Sequence, residues 1–449
     1  MRPRISPNSK STRCQAGLHP LPAGVDNALF FWLFQAENPF YENNLIIWFN
    51  GGPGCSSLIG LTTGNGPISF ELTQIHILGP NSDIEPSPAV DNDVVISHFY
   101  AWLQSFFAHF PHLRSKQVHL MGESWAGLYI PYFATATVDN QDLFPINLRS
   151  MAIGDGSIGN GAAMAFAAIA SAAIGKFLAS HQSLPQIPDD IMAVFKEASE
   201  TCGFDDILDQ AAQFPPEGSI HIPSRHKRLE RTPRDLGDIY AGICPTCLRT
   251  AEEVRSSIHT SCYGPCSTFF TAMSYLGTIY TRSFDVNDIT HNSSTINSFG
   301  LRPNPTTPAH SILPNLVTSH KISLHVYLGE YDMLANHYGM ELALQNMTWN
   351  GALGFSSPLT ASFYPDNAVS HSRGNTSSTS SIRDDNNNNN PRQSHPAPTE
   401  AGKWASERGV TYHLFRGAGH SVFLSKPREM FAYVRDVVVA LPRKDLLKE

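Results

Sequence analysis

Four apolar runs of strand length each break off into glycine or polar residues, and this recurring pattern constrains the fold more than any other feature of the chain. "LIIWF" (45–49) runs into "NGGPGCSS", "VHLM" (118–121) into "GESWAG", "ISLHVYL" (322–328) into "GEYDM", and the weaker "TYHLF" (411–415) into "RGAGH". Continuous apolar runs of this length suit parallel strands buried on both faces. Between the first two runs, Val95, Phe99, Trp102, Phe106 and Phe110 recur at steps of three and four, which gives a helix one apolar face. Strands alternating with helices predict an α/β fold built on a doubly wound, mostly parallel sheet. In that architecture chemistry gathers beyond the carboxyl ends of the strands, where all four polar loops sit.

A chain of 449 residues with 41% hydrophobic content can bury a large core in one domain or two. The formal charge of −8 argues against a nucleic-acid partner, which would need clustered Lys and Arg. No run resembles a membrane span; the uncharged stretch 156–175 is mostly Ala and Gly and reads as a buried or amphipathic helix. From 156 to 308 the strand–helix rhythm stops, and this segment is expected to cap the sheet as an insertion. The core is then divided into 27–155 and 309–449, with a low-complexity surface loop at 372–400.

Residues 1–15 lack the apolar core of a signal peptide, so the chain is either intracellular or preceded by residues absent from this sequence. Sequons at Asn292, Asn346 and Asn375 would suit a secreted protein. The seven cysteines are Cys14, Cys55, Cys202, Cys244, Cys247, Cys262 and Cys266. The last four have a spacing open to a zinc site or to disulfides; with no strand or helix pattern around them to shape a zinc knuckle, disulfides are favoured.

Ser124 sits in G-x-S-x-A-G between a strand and a helix, the arrangement of a nucleophile elbow, in which small neighbours let a strained turn lift the hydroxyl clear of the sheet. A serine needs a base to take its proton. Asp332 follows the third apolar run and His420 the fourth, giving the order Ser, Asp, His that this fold uses. A backbone N–H of "NGGPG" and that of Trp125 are candidate oxyanion donors. The chemistry calls for no cofactor and no metal.

Together, "WFNGGPGCSS", "GESWAGLYIP", "GEYDMLANHYGMELALQNMTW" and "GAGHSVFLSKP" resemble the serine carboxypeptidases, in particular their fungal members, over most of 27–202 and 310–440. The resemblance implies an α/β-hydrolase fold with a helical, cysteine-containing cap. It also implies hydrolysis of the C-terminal peptide bond of peptides and proteins, and a secreted or vacuolar location. It assigns Ser124 as nucleophile, His420 as base, Asp332 as its orienting acid, and Gly52 and Trp125 as the oxyanion hole. Asn50 and Glu123 would bind the substrate's free carboxylate, with Glu123 a neutral donor and activity favouring acidic pH.

Four departures stand out. Gly64 occupies the place of a second glutamate; a "DQPxGxGFS"-type loop and its strand are missing between 71 and 93; the first strands expected of the family are missing; 284–324 is short, and Cys55 has no evident partner. An impaired or truncated relative, or an acyltransferase or esterase using the same triad, is the alternative reading.

Overall fold

The computed structural model describes residues 14–20, 28–51, 57, 60–61, 66, 92–158, 174–180, 196, 204–220, 309–332, 335–365 and 399–439. Its elements in chain order are β1 (Cys14–Pro20), β2 (Ala28–Phe34), β3 (Asn44–Phe49), α1 (Asn92–His109), β4 (Gln117–Glu123), α2 (Ala126–Asp139), β5 (Leu148–Gly154), α3 (Ile174–Ser180) and α4 (Phe204–Ala211). The series continues with α5 (Ala309–Thr318), β6 (Ser323–Gly329), α6 (His337–Gln345), β7 (Thr348–Trp349), β8 (Ala352–Leu353), β9 (Ala361–Phe363), β10 (Gly402–Glu407), β11 (Val410–Phe415), α7 (Val422–Ser425) and α8 (Pro427–Tyr433).

Seven strands form the central sheet in the order β3-β4-β5-β6-β11-β10-β9. The first five run parallel, and β10 is antiparallel to both its neighbours. This is the α/β-hydrolase fold, and all four apolar runs lie in parallel strands. Three strands of the sheet, β5, β9 and β10, had no counterpart in the sequence reading. In β5, Arg149 and Ser150 interrupt the apolar run; β10 is polar and joins β11 through a tight turn with positive φ at Arg408 and Gly409.

Successive side chains of a strand point to opposite faces, and the buried residues divide accordingly. Val118, Leu120, Leu324, Val326 and Leu328 face one cluster, with α1, α2 and α5; Met121, Tyr327 and Phe415 face the other, with α7 and α8. The helical face expected of α1 is present. Phe99 stacks on Phe133 of α2 with ring centroids 4.0 Å apart, and Trp102 on Phe106 at 5.1 Å. Burying side chains of this size contributes roughly 1.5–3 kcal/mol each.

Strands do precede β3, contrary to the sequence reading. β1 and β2 pair as an antiparallel hairpin that begins ahead of residue 27, the start expected for the core. Among the described residues the hairpin is joined to the rest not by a ladder but through side chains: Phe31 meets Phe106 at 5.5 Å and Phe110 at 5.7 Å, and His19 stacks on Phe31 at 4.9 Å. β3 is consequently an edge of the central sheet among the described residues. The stretch without the family's loop, 71–93, lies outside the described residues except for Asn92 and Asp93, which open α1.

Most of the expected cap, the Ala-rich helix over 159–173, the cysteines other than Cys14 and the bulk of the low-complexity loop also lie outside the described residues. Cys14 is exposed and free. Residues 156–158 are buried loop rather than helix. Glu400, assigned to the loop, is anchored by Ser362 (2.8 Å) and Lys403 (3.2 Å). Asn346, one of the sequons, exchanges hydrogen bonds with the backbone of Ile220 at 2.9 and 3.3 Å. No helix among the described residues is long and apolar enough to cross a membrane.

Candidate active site

Ser124 is the first residue beyond β4 and has φ of 60°, left-handed backbone that a serine adopts only when its surroundings impose it. The imposition is visible. Its N–H donates to the Gly154 carbonyl (2.8 Å), and its own carbonyl accepts from Gly127 (2.9 Å) and Ser157 (3.1 Å). Gly122 must be glycine, because a Cβ there would meet the Phe49 carbonyl oxygen at 2.3 Å. The G-x-S spacing is thus a packing requirement of the turn as well as a sequence motif.

Asp332 and His420, beyond β6 and β11, are buried together: His420 Nδ1 donates to Asp332 Oδ2 at 2.8 Å, and Ala335 N–H donates to Asp332 Oδ1 at 3.2 Å. Burial alone would raise the Asp332 carboxyl, but the charge and hydrogen bond of His420 outweigh it and hold that carboxyl below its ordinary value. For His420, burial opposes the charged form, and Asp332 with Glu123 overcomes it, so the imidazole is raised.

Glu123 ends β4, immediately before Ser124, and is 4% exposed. Its Oε1 accepts from Asn50 Nδ2 (3.1 Å) and from the Ser421 hydroxyl (3.4 Å), while Oε2 has no hydrogen-bonding partner among the described residues. Asn50 is oriented by its other end: Oδ1 accepts from Trp48 Nε1 (2.8 Å) and from Gly60 N–H (3.1 Å), so the amide nitrogen must face Glu123. Burial, partly offset by His420 and Ser421, pushes the Glu123 carboxyl up to about 8. It is a neutral acid over the whole acidic range.

Trp125 caps the N-terminus of α2. The loop after β3 presses on it so closely that a Cβ on Gly51 would lie 2.4 Å from the Trp125 nitrogen. Gly52 and Gly64 lie outside the described residues. The geometry therefore brings together Ser124, Asp332, His420, Glu123, Asn50 and Trp125.

Two residues at the site were not singled out from the sequence. Ser421 follows His420 directly. Asp155 follows β5, and its signal, polar residues after an apolar run, was missed along with that strand. Asp155, Asp332 and His420 each place a nitrogen or oxygen within 4.8 Å of the others, a spacing a metal could use. His420 Nδ1 and Asp332 Oδ2 are already engaged with each other, however.

A parallel α/β sheet carrying a strained serine turn after one strand and a buried Asp–His pair after two later ones defines a serine hydrolase of the α/β-hydrolase class. The comparisons narrow it: the serine carboxypeptidase family profile matches residues 3–83 and 80–440, and the chain belongs to that family and is a serine-type carboxypeptidase. The two matched segments meet within the stretch where the family's loop is missing. The chain is 36% identical to a carboxypeptidase Y homolog of Arthroderma benhamiae, over 92% of this chain and 88% of that protein. It is 26% identical to the pheromone-processing carboxypeptidase kex1 of Talaromyces stipitatus, over 96% of this chain and 66% of that protein. The crystal structure of Kex1Δp, a prohormone-processing carboxypeptidase from Saccharomyces cerevisiae, superposes with a TM-score of 0.59 at 18% identity, covering 95% of this chain and 91% of that one.

Proposed function

We propose that Ser124 attacks the carbonyl of the last peptide bond of a peptide or protein while His420 takes its proton. Asp332 holds the imidazole in the tautomer that carries hydrogen on Nδ1, leaving Nε2 to act as base. The oxyanion that forms is met by the N–H of Trp125 and, through the adjoining glycine turn, by that of Gly52. The tetrahedral species collapses by expelling the C-terminal amino acid, whose nitrogen takes the proton from His420. Water, activated by the same imidazole, then releases the acyl group from Ser124.

What makes this a carboxypeptidase site is Glu123, the observation that carries the reading. Asn50 occupies one oxygen of a buried neutral acid, the other is unpartnered among the described residues, and the acid stands one residue from the nucleophile. A protonated Oε2 is a donor for the substrate's terminal carboxylate, and Asn50 has a second amide hydrogen to add. Removing that carboxylate should therefore remove the activity. Blocked dipeptides ending in a free acid should be cleaved and their C-terminal amides spared, and Ser124→Ala should abolish both turnover and labelling by a fluorophosphonate. Equal cleavage of acid and amide, with simple esters turned over faster, would favour an esterase instead.

Two groups set the pH range. Binding of the terminal carboxylate fails as Glu123 ionises, at about pH 8 in the free enzyme. Catalysis fails on the acid side when His420 is protonated, and its raised pKa brings that limb toward neutrality. The acidic preference expected from Glu123 alone is thus narrowed by His420. A secreted or vacuolar location accords with the family, and fractionation of the native host would test it.

A further inference from the structure

The loop following β5 touches both halves of the candidate site. Gly154 and Ser157 hold the backbone of Ser124, while Asp155 turns the other way. Asp155 has φ of 43°, its N–H donates to the Tyr327 carbonyl at 2.8 Å, and its side chain is fully buried. Asp155 Oδ1 accepts from Gly329 N–H at 2.8 Å, at the end of the strand that delivers Asp332. Asp155 and Asp332 each place an oxygen within 4.8 Å of the other's. Two buried carboxylates this close repel unless a proton is held between them, and the partners show which acid can carry it. Both oxygens of Asp332 already accept, from Ala335 and from His420. Asp155 Oδ2 is buried and receives no hydrogen bond from the described residues. That oxygen is the one placed to be a hydroxyl.

We propose that Asp155 is a positioning residue, held as the neutral acid, whose Oδ2–H donates to the Asp332 carboxylate and locks the Asp332–His420 pair against the Ser124 turn. The proposal rests on the catalytic reading above. Burial and the neighbouring Asp332 both favour the protonated form of Asp155. The other titratable groups around it are His420, Glu123, Tyr327 and Tyr412, with the two phenols uncharged over the working range.

The test is kinetic. Asp155→Asn keeps a donor and removes no charge if the residue is already neutral. Its kcat should stay within about three-fold of the parent, less than the loss of one hydrogen bond to a charge would produce, and the acid limb should not move. Asp155→Ala removes the donor, so kcat should fall about ten-fold or more with KM little changed. The deshielded His420 Nδ1 proton, followed by NMR, should shift in Asp155→Ala and persist in Asp155→Asn. An acid limb moved clearly downward in Asp155→Asn would mean that a negative charge beside His420 had been removed, and would overturn the proposal. So would full kcat in Asp155→Ala. If Asp155→Ala fails to fold, the acid limb of Asp155→Asn alone decides. Asp332→Ala serves as the separate control: if it retains activity, the catalytic reading fails rather than the role of Asp155.

Discussion

At residue scale, the tightest constraint on chemistry is Gly51. Any side chain there would collide with the backbone of the serine turn, with a Cβ 2.4 Å from the Trp125 nitrogen and 2.8 Å from the Glu123 carbonyl oxygen. Backbone cannot rotate away as a side chain tip can, so Gly51→Ala should push the loop, and the donors it carries, off the oxyanion. The expected outcome is a fall in kcat of about 10²–10³, the usual cost of one such donor, with a thermal midpoint lowered by only a few degrees. An unchanged kcat would mean the loop contributes nothing to the transition state. Glu123→Gln tests the other side of the turn. It retains a donor but cannot ionise, so the fall in kcat/KM near pH 8 should disappear, read from a pH profile on a free-acid dipeptide. The residues of this site were legible in the sequence wherever an apolar run ended in glycine and a reactive group, as at Ser124, Asp332 and His420. Asp155 was not, because its strand includes Arg149 and Ser150 and did not read as one. Ser421 gave no signal of its own.

At element scale, α1 carries more of the assembly than its place outside the sheet suggests. One face covers β3 and α2 through Phe99, and Phe106 receives Phe31 from the hairpin and Trp102 from its own helix. Phe106→Ala should cost about 3–5 kcal/mol, as truncations of buried aromatic residues do, with the hairpin the first part to loosen. Hydrogen exchange should show lost protection in β1 and β2 before β4 to β6 respond; uniform loss would place the hairpin inside the cooperative core. The helix was readable because its aromatic residues recur at helical spacing. The hairpin was not, because its outward side chains are as apolar as its inward ones: Leu18 and Phe30, directly opposed, are 62% and 47% exposed. Without alternation the pattern does not mark these as strands of a two-stranded ribbon, and "ALFFWLF" runs into neither glycine nor a reactive group, unlike the four runs of the central sheet.

For the whole molecule, the buried titrating groups oppose one another. Burial holds His119, His325 and His413 down to about 4, about 3 and about 3. Such histidines take up protons on unfolding below pH 6.5, so the stability they contribute is present above that value and lost as pH falls toward the folded ones. Burial moves Glu123 to about 8, Glu341 to about 7, and Asp155 well above its usual value. These acids release protons on unfolding, so their contribution is present at low pH and lost as pH rises through their folded values. Between the unfolded carboxyl value of 4.5 and the unfolded imidazole value of 6.5, the three gains and three losses nearly cancel. Stability should therefore be flat across that interval. It should fall toward pH 8 and toward pH 3.5, by about 1.4 kcal/mol per pH unit for each uncompensated proton. Urea midpoints across the range check this, and a steady rise from 4.5 to 6.5 followed by a plateau would mean that the acids are ionised in the fold.

The parallel sheet also sets when this enzyme can begin to act. Ser124, Asp332 and His420 stand at the ends of β4, β6 and β11, and β11 joins the sheet by pairing with β6. The proposed nucleophile is synthesised early and its proposed base late, and nothing local brings them together. On that assignment a nascent chain holding the complete serine turn is inert until nearly the whole sheet has closed, and the order of the strands keeps the protease silent while it is being made.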